Sequence, residues 1–211
     1  MKKAIVLLSG GMDSAVCLYW AKSKGYECHC LTFDYGQRHK KEITYAKKIA
    51  RISEEQHYIL NLNFPWKGSA LLDRSILIPF SKTVDQNKIP VTYVPARNMI
   101  FLSIAASFAE TIGAEAIIIG ANAVDFSGYP DCRPVFYKAF SKVIESGTKR
   151  GSEGKKINIL TPLINLSKKG IIKLGRKLKV PIEETWSCYS GGKTPCGKCD
   201  ACVLRNKGFA K

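Results

Sequence analysis

Residues 4–14 read Ala4-Ile5-Val6-Leu7-Leu8-Ser9-Gly10-Gly11-Met12-Asp13-Ser14. A wholly apolar run leads straight into paired glycines, the pattern of a buried parallel strand ending in a turn. Behind the turn, Ala15, Val16, Leu18 and Tyr19 recur at helical spacing, and Gly25 supplies a stop after Lys24. Strand, glycine turn and helix start in direct succession make an anion cradle. The glycines let backbone N–H groups approach a charged ligand with no Cβ in the way. The helix start adds unpaired donors and a partial positive charge. Ser9 and Ser14 carry hydroxyls that can donate to phosphate oxygens, and Asp13 can hold Mg²⁺. The turn is not a Walker A motif, because it is shorter and has no Lys after the second glycine.

Outward from this turn, further strands are expected at residues 27–34, 56–62, 116–119 and 157–160. Helices are expected at 13–24, 41–52, 95–112, 134–145 and 167–178, the last with Ser167 as N-cap. The alternation predicts an α/β fold with a doubly wound, mostly parallel five-stranded sheet. Right-handed crossovers would gather the strand C-terminal ends on one edge. The loops that follow those ends are 9–14, 34–39, 94–98 and 120–133, and they bring together Gly10, Gly11, Asp13, Arg38, Arg97, Asn98, Asp125 and Asp131, residue types that suit an active site. Residues 64–90 are weakly periodic and read as a lid or insert, and residues 149–156 as an exposed flexible loop. No internal repeat is present.

The 211 residues suit one good-sized core. No apolar run approaches the ~20 residues of a membrane helix. The run at 4–8 is shorter than the roughly 7–15 residues of a signal-peptide core. A cytoplasmic protein with no membrane association is expected. The net charge of +16 is concentrated late, with 17 Lys and Arg against 5 Asp and Glu from Lys138 to Lys211, a net +12. Such a basic third suits nucleic acid, an anionic small substrate, or a plain solvated surface.

Of eight cysteines, Cys188, Cys196, Cys199 and Cys202 fall close together on a stretch rich in Gly and Pro. With no secretory signal, such a cluster points to metal rather than disulfides. Four thiolates suit tetrahedral Zn²⁺ with no open position, hence a structural site. Lys193, Lys198 and Arg205 would favour the thiolates. Cys-x2-Cys-x2-Cys also occurs in iron–sulfur runs, so the spacing leaves both metals open. Cys28 and Cys30 share one face of the second strand and read as core residues, while Cys132 has no evident base beside it. His39 reads as polar lining near the turn.

The hexapeptide Ser9-Gly10-Gly11-Met12-Asp13-Ser14 resembles the pyrophosphate-binding loop of the N-type ATP pyrophosphatases, the PP-loop superfamily. That resemblance implies a Rossmann-like fold and cleavage of ATP between the α and β phosphates through an adenylated intermediate. Three further segments narrow it: Phe33-Asp34-Tyr35-Gly36-Gln37-Arg38-His39, Val94-Pro95-Ala96-Arg97-Asn98, and Asp125-Phe126-Ser127-Gly128-Tyr129-Pro130-Asp131-Cys132-Arg133. With the cysteine cluster, the chain from Lys3 to about Arg205 resembles the 7-cyano-7-deazaguanine synthases of queuosine biosynthesis.

This resemblance implies a carbon–nitrogen ligase that joins 7-carboxy-7-deazaguanine and ammonia, using ATP twice, through adenylated carboxylate and adenylated amide. It implies an ATP site at Leu8, Ser9, Gly10, Gly11, Met12, Asp13, Ser14, Ala15, Val16, Cys17, Leu18 and Arg38, with Mg²⁺. Asp13, Arg97 and Asp131 would be catalytic, and Asp125, Phe126, Tyr129 and Asp131 would bind substrate. It favours zinc at the four cysteines. The expected organisation is a PP-loop domain over residues 1–180, with a zinc-binding segment at 181–211 packed on it. No stable nucleic-acid binding is expected, and a homodimer through residues 180–186 stays open. One rival is a tRNA-modifying PP-loop enzyme, favoured by the basic third but short of room for a tRNA-binding domain. A second is a zinc-stabilised nucleotide-binding module without catalysis.

Overall fold

A computed structural model describes residues 1–80, 89–122 and 128–210. The chain runs β1 (Lys2–Leu7), α1 (Met12–Ser23), β2 (Tyr26–Asp34), α2 (Lys41–Ile52), β3 (Gln56–Asn61), α3 (Arg97–Ile112) and β4 (Ala116–Ile118). After a 3-10 turn at Pro130–Cys132 come α4 (Pro134–Gly147), α5 (Lys149–Ser152), β5 (Asn158–Leu160) and α6 (Lys168–Lys177). A second 3-10 turn at Ile182–Glu184 precedes α7 (Asp200–Phe209). The strands form one sheet in the order β3-β2-β1-β4-β5, and every pairing is parallel. The doubly wound five-stranded α/β architecture expected from the alternation is therefore present.

The two-residue period of the strands divides the interior into two cores. Ala4 and Val6 of β1, Cys28 and Cys30 of β2, and Ala116 and Ile118 of β4 face one side, against α1 and α6. Ile5, Leu7, Leu31, Phe33 and Ile117 face the other, against α3 and α4. This is why the central strands read as unbroken apolar runs: both faces are covered. Burial pushes the Cys28 thiol up to about 12 and Cys30 higher, so both behave as small core residues. At the sheet edge β3 is mostly exposed, with Tyr58 at 40%.

Ser167 caps α6 as expected, its hydroxyl accepting from the Gly170 N–H. Two local expectations change. Residues 149–156 begin with a helical turn rather than a loop, because Thr148 Oγ1 accepts from the Gly151 N–H at 3.1 Å and Glu110 accepts from the Arg150 N–H at 2.8 Å. These polar caps leave no trace in apolar periodicity. The cysteine segment likewise continues into a helix, α7, packed on α6 where Gly208 lies against Ile172 and Lys168.

Residues 64–80 are fastened to the body rather than free-standing. Arg38 donates to the carbonyls of Ala70 (3.2 Å), Ile76 (3.0 Å) and Arg74 (3.2 Å), and Phe80 bridges Cys199.

The switch in strand order falls between β1 and β4, where neighbouring crossovers leave in opposite directions and a crevice opens at the strand C-terminal ends. Gly10 anchors the turn that borders it. Its φ is +83°, and a Cβ there would meet the Glu42 carbonyl oxygen at 2.1 Å and the Ala46 nitrogen at 2.8 Å. Gly11 has φ −80° and a nearest contact of 3.3 Å, to a movable serine hydroxyl. Gly10→Ala is therefore expected to lower stability by about 2 kcal/mol or more, and Gly11→Ala by less than about 1 kcal/mol. Urea unfolding of the two variants checks this order.

Candidate active site

The crevice holds a cavity of about 290 Å³, lined by the turn, by the ends of β1, β2 and β4, and by the C-terminal segment. Its size is at the lower end of small-molecule sites. Ser9, Gly11, Met12, Asp13 and Ser14 line it, with Leu8 at its base. No side chain caps α1, whose N-cap is Gly11, and its first helical bond runs from the Ala15 N–H to the Gly11 carbonyl at 3.1 Å. The N–H groups of the first turn are thus turned out of the helix toward the crevice. Ser9 and Ser14 brace the turn: their hydroxyls lie 3.0 Å apart, and Ser14 Oγ donates to the Gly11 carbonyl at 2.9 Å.

Asp13 is the charged centre of this half. Its Oδ2 accepts from Asn122 Nδ2 at 2.9 Å and from Lys168 Nζ at 2.5 Å. Its Oδ1 is buried and has no hydrogen-bond partner among the described residues. A buried acceptor without a donor is costly unless a ligand supplies one. A hard cation accompanying a polyphosphate fits that open position.

The other half of the cavity is aromatic and cationic. Arg97, on the first residue of α3, donates to the Tyr35 hydroxyl at 3.0 Å, and its guanidinium lies 5.7 Å from the Tyr35 ring centre. Tyr129 lines the cavity and shares a 2.9 Å hydrogen bond with Thr92, while Tyr189 closes the same side. Burial pushes the Tyr35 hydroxyl up, with Arg97 opposing it. Asp131 lies beneath, buried. Its Oδ2 accepts from the Asn98 N–H at 2.9 Å, so its carboxylate holds the start of α3. Burial raises its pKa, opposed chiefly by that N–H.

Not every residue expected at the site reaches it. Ala15, Val16, Cys17 and Leu18 are fully buried in the core under the turn. Gly10 faces α2, and Arg38 points at the 70–76 carbonyls. Asp125 and Phe126 lie outside the described residues. Arg205, expected beside the thiolates, donates to Thr185 Oγ1 (2.8 Å), Ser187 Oγ (3.1 Å) and the Ile182 carbonyl (2.9 Å), and lines the cavity. Asn122 falls in the loop 120–133 expected at the strand ends, whereas Lys168 and Glu42 carry no signal in the sequence. Lys168 is one of many lysines, and only the packing of α6 beside the turn distinguishes it.

The four clustered cysteines do converge. Their sulfurs all lie within 4.8 Å of one another, and Cys196 Sγ and Cys202 Sγ are 4.0 Å apart. A tetrahedral ion with bonds of about 2.3 Å has sulfurs about 3.8 Å apart, so the set fits a metal. Backbone N–H groups of Lys198 and Cys199 point at Cys196 Sγ (both 3.4 Å). Such donors favour thiolate, and the Cys196 thiol is lowered to about 6 although its partial burial acts the other way. Trp186 ties cluster to cavity: its N–H donates to the Gly10 carbonyl at 2.9 Å and its indole to the Cys188 carbonyl at 2.8 Å.

Comparison with known proteins gives a full-length match. Residues 3–211 match the family described as Queuosine biosynthesis protein QueC. A protein named 7-cyano-7-deazaguanine synthase from Trichormus variabilis is 52% identical over 99% of this chain and 94% of its own length. One of the same name from Thermosynechococcus vestitus is 54% identical over 100% of this chain and 92% of its own. Among solved structures, an NMN synthetase from Francisella tularensis superposes with a TM-score of 0.54 at 19% identity, covering 94% of this chain and 70% of that one; this likeness concerns the fold.

Glu42 supplies a pH test of the cavity. Burial pushes its carboxyl up from 4.5 to about 7, with Arg97 opposing. The folded state therefore holds this proton more tightly than the unfolded state. That contribution to stability is complete in acid and is lost as pH rises from the unfolded value through about 7. Measured against Glu42→Gln, the wild-type protein should lose stability between ~pH 5 and ~pH 8, by at most about 3 kcal/mol. Urea midpoints of both proteins at the two pH values provide the check.

Proposed function

Because the chain belongs to the queuosine biosynthesis protein QueC family, we propose that it is an ATP-dependent carbon–nitrogen ligase converting 7-carboxy-7-deazaguanine and ammonia to 7-cyano-7-deazaguanine. The observation that carries this is the match of about half identity along the full length to proteins of that named activity. The cavity supports it, with an anion cradle in one half and a planar-ring environment with a guanidinium in the other.

A carboxylate resists nucleophiles because it is negatively charged and has no good leaving group. Adenylation removes the charge and makes AMP the leaving group. Ammonia then gives the amide, and adenylation of the amide oxygen permits loss of AMP to leave the nitrile. In this chain the first-turn N–H groups of α1, with Ser9 and Ser14, would hold the phosphates. Lys168, paired with Asp13, would stabilise charge growing on the departing pyrophosphate. Arg97 would orient the substrate carboxylate, and Tyr129 would stack on or bond to the deazapurine. Asp131 would act by holding the start of α3, and so Arg97, in place.

Asp13 Oδ1 would hold Mg²⁺ brought with ATP, and such an ion neutralises triphosphate charge when bound. The four cysteines would hold zinc in a closed structural shell. Residues 181–211 would then form a zinc-stabilised segment of the same domain as residues 1–180, since α7 packs on α6 and Trp186 on the turn. No described helix is long and apolar enough to cross a membrane, and a cytoplasmic location suits this small-molecule chemistry.

Two measurements test this. ATP, ammonium and 7-carboxy-7-deazaguanine should yield the nitrile with AMP and pyrophosphate. Asp13→Asn should lower AMP formation by about 10²-fold or more, and survival of AMP formation would remove the turn from the mechanism. Metal analysis of the purified protein should give one zinc per chain and no visible absorption, and Cys202→Ser should lose the metal. A brown, iron-containing protein would replace zinc with an iron–sulfur cluster.

A further inference from the structure

Only two carboxylates line the cavity among the described residues, Asp13 and Glu42, and they are in opposite states. Asp13 is engaged by Lys168 and Asn122. Glu42, on the first turn of α2, makes no side-chain hydrogen bond or ion pair with the described residues, and it is only half-buried. The backbone of Gly10 is pressed against the Glu42 carbonyl, so this carboxyl is held at a set height above the phosphate turn. The charged group acting on it is Arg97 from α3. Tyr35, Tyr129 and Tyr189 surround the same guanidinium. Lys41, its chain neighbour, is turned away onto the Trp186 ring and the carbonyls of Gly192 and Lys193.

We propose that Glu42 forms the ammonium-receiving subsite of this cavity and accepts the protons that the nitrogen releases in both half-reactions. This rests on the carboxy-deazapurine ligase reading above. Ammonia is present near neutrality chiefly as ammonium, a cation that an unpaired carboxylate attracts. It must lose a proton before its lone pair can attack. In the first half-reaction the C–N bond forms, the C–O bond to AMP breaks with its electron pair, and the nitrogen sheds a proton to leave the amide. In the second, the amide oxygen attacks the α-phosphorus and pyrophosphate departs. The nitrogen of the resulting adenylated imidate then gives up both hydrogens as the C–O bond to AMP breaks and the C≡N bond is completed. From ammonium to amide, and again from amide to nitrile, the nitrogen gives up two protons, none of which the C–N and C–O bond changes consume. Glu42 takes protons one at a time and passes each to water at the open mouth of the cavity. A carboxyl that titrates at about 7 exchanges protons in either direction at neutral pH, which suits a general base. If Arg97 holds the substrate carboxylate, its proximity to Glu42 brings the nitrogen to the activated carbon.

The test uses wild-type protein, Glu42→Gln and Glu42→Asp. Pyrophosphate–ATP isotope exchange, dependent on 7-carboxy-7-deazaguanine and measured without ammonium, reports adenylation alone. Nitrile formation is measured against ammonium concentration between ~pH 5.5 and ~pH 9. Glu42→Gln should keep exchange within about threefold of wild type while nitrile formation falls about 10²- to 10⁴-fold and the limb near neutral pH disappears. Glu42→Asp should recover part of the rate and a shifted limb. Nitrile formation by Glu42→Gln within about threefold of wild type, or an equal loss of exchange and nitrile formation, would overturn the proposal. Absence of carboxylate-dependent exchange in the wild-type protein would overturn the ligase reading itself, and Glu42's role with it.

Discussion

The site depends on a close approach of two backbones. At Gly10 the turn after β1 passes so near the first turns of α2 that no Cβ fits between them. That contact fixes the turn from one side. From another, Gly120 just beyond β4 packs tightly, since a Cβ there would come within 3.1 Å of Asp13 C and Ser14 N. The turn is therefore clamped by neighbouring backbone as well as braced by its own two serines. The N–H groups of Ser9 and Gly11 go to the serine hydroxyls, while those that open α1 have no helical carbonyl to bond and face a ligand.

Around that clamp the charges are arranged in opposition. Lys168 and Asn122 satisfy one oxygen of Asp13 and leave the other open, so the carboxylate is oriented before any cation arrives. Across the cavity Arg97 is oriented by Tyr35 and, through the start of α3, by Asp131. Ala96, just before Arg97, sits in the left-handed region at φ 55° and turns the chain sharply into the helix. Strain of that kind is tolerated where the surroundings over-determine it. Here the Tyr93 hydroxyl accepts from the Ala96 N–H at 3.0 Å, and the Asp131 carboxylate from the Asn98 N–H at 2.9 Å.

The C-terminal segment is a wall of the cavity as well as the seat of the cysteines. Trp186 spans the distance with a bond from each end, to the Gly10 carbonyl and to the Cys188 carbonyl. Its ring packs on Tyr45, and Lys41 lies 4.4 Å over it. His39 meets Gly191 so closely that a Cβ there would stand 2.5 Å from its own. A metal closed in by the four thiols would thus order residues that line the cavity, Ser187, Tyr189 and Arg205 among them.

Much of this was legible in order along the chain. Both faces of β1 and β4 are buried, so residues 4–8 and 116–119 had to be apolar without interruption, and an alternating strand–helix rhythm follows from that. The turn at Ser9–Ser14, the Ser167 cap and the cysteine spacing are local patterns, set by neighbours within a few residues. What needed the tertiary structure was whatever depends on residues far apart. Lys168 meets Asp13 across 155 positions, and Arg38 is drawn to loop carbonyls instead of the cavity because residues 70–76 fold over it. Glu42 looks like any exposed helical glutamate until α2 is pressed against Gly10 and its carboxyl lines a cavity beside Arg97 with no partner among the described residues. Sequence determined the sheet, the turn and the four-cysteine cluster, because hydrophobic period and short-range chemistry are local. Tertiary structure decided which charges meet, because electrostatic partnership depends on distance in space and on the water excluded there.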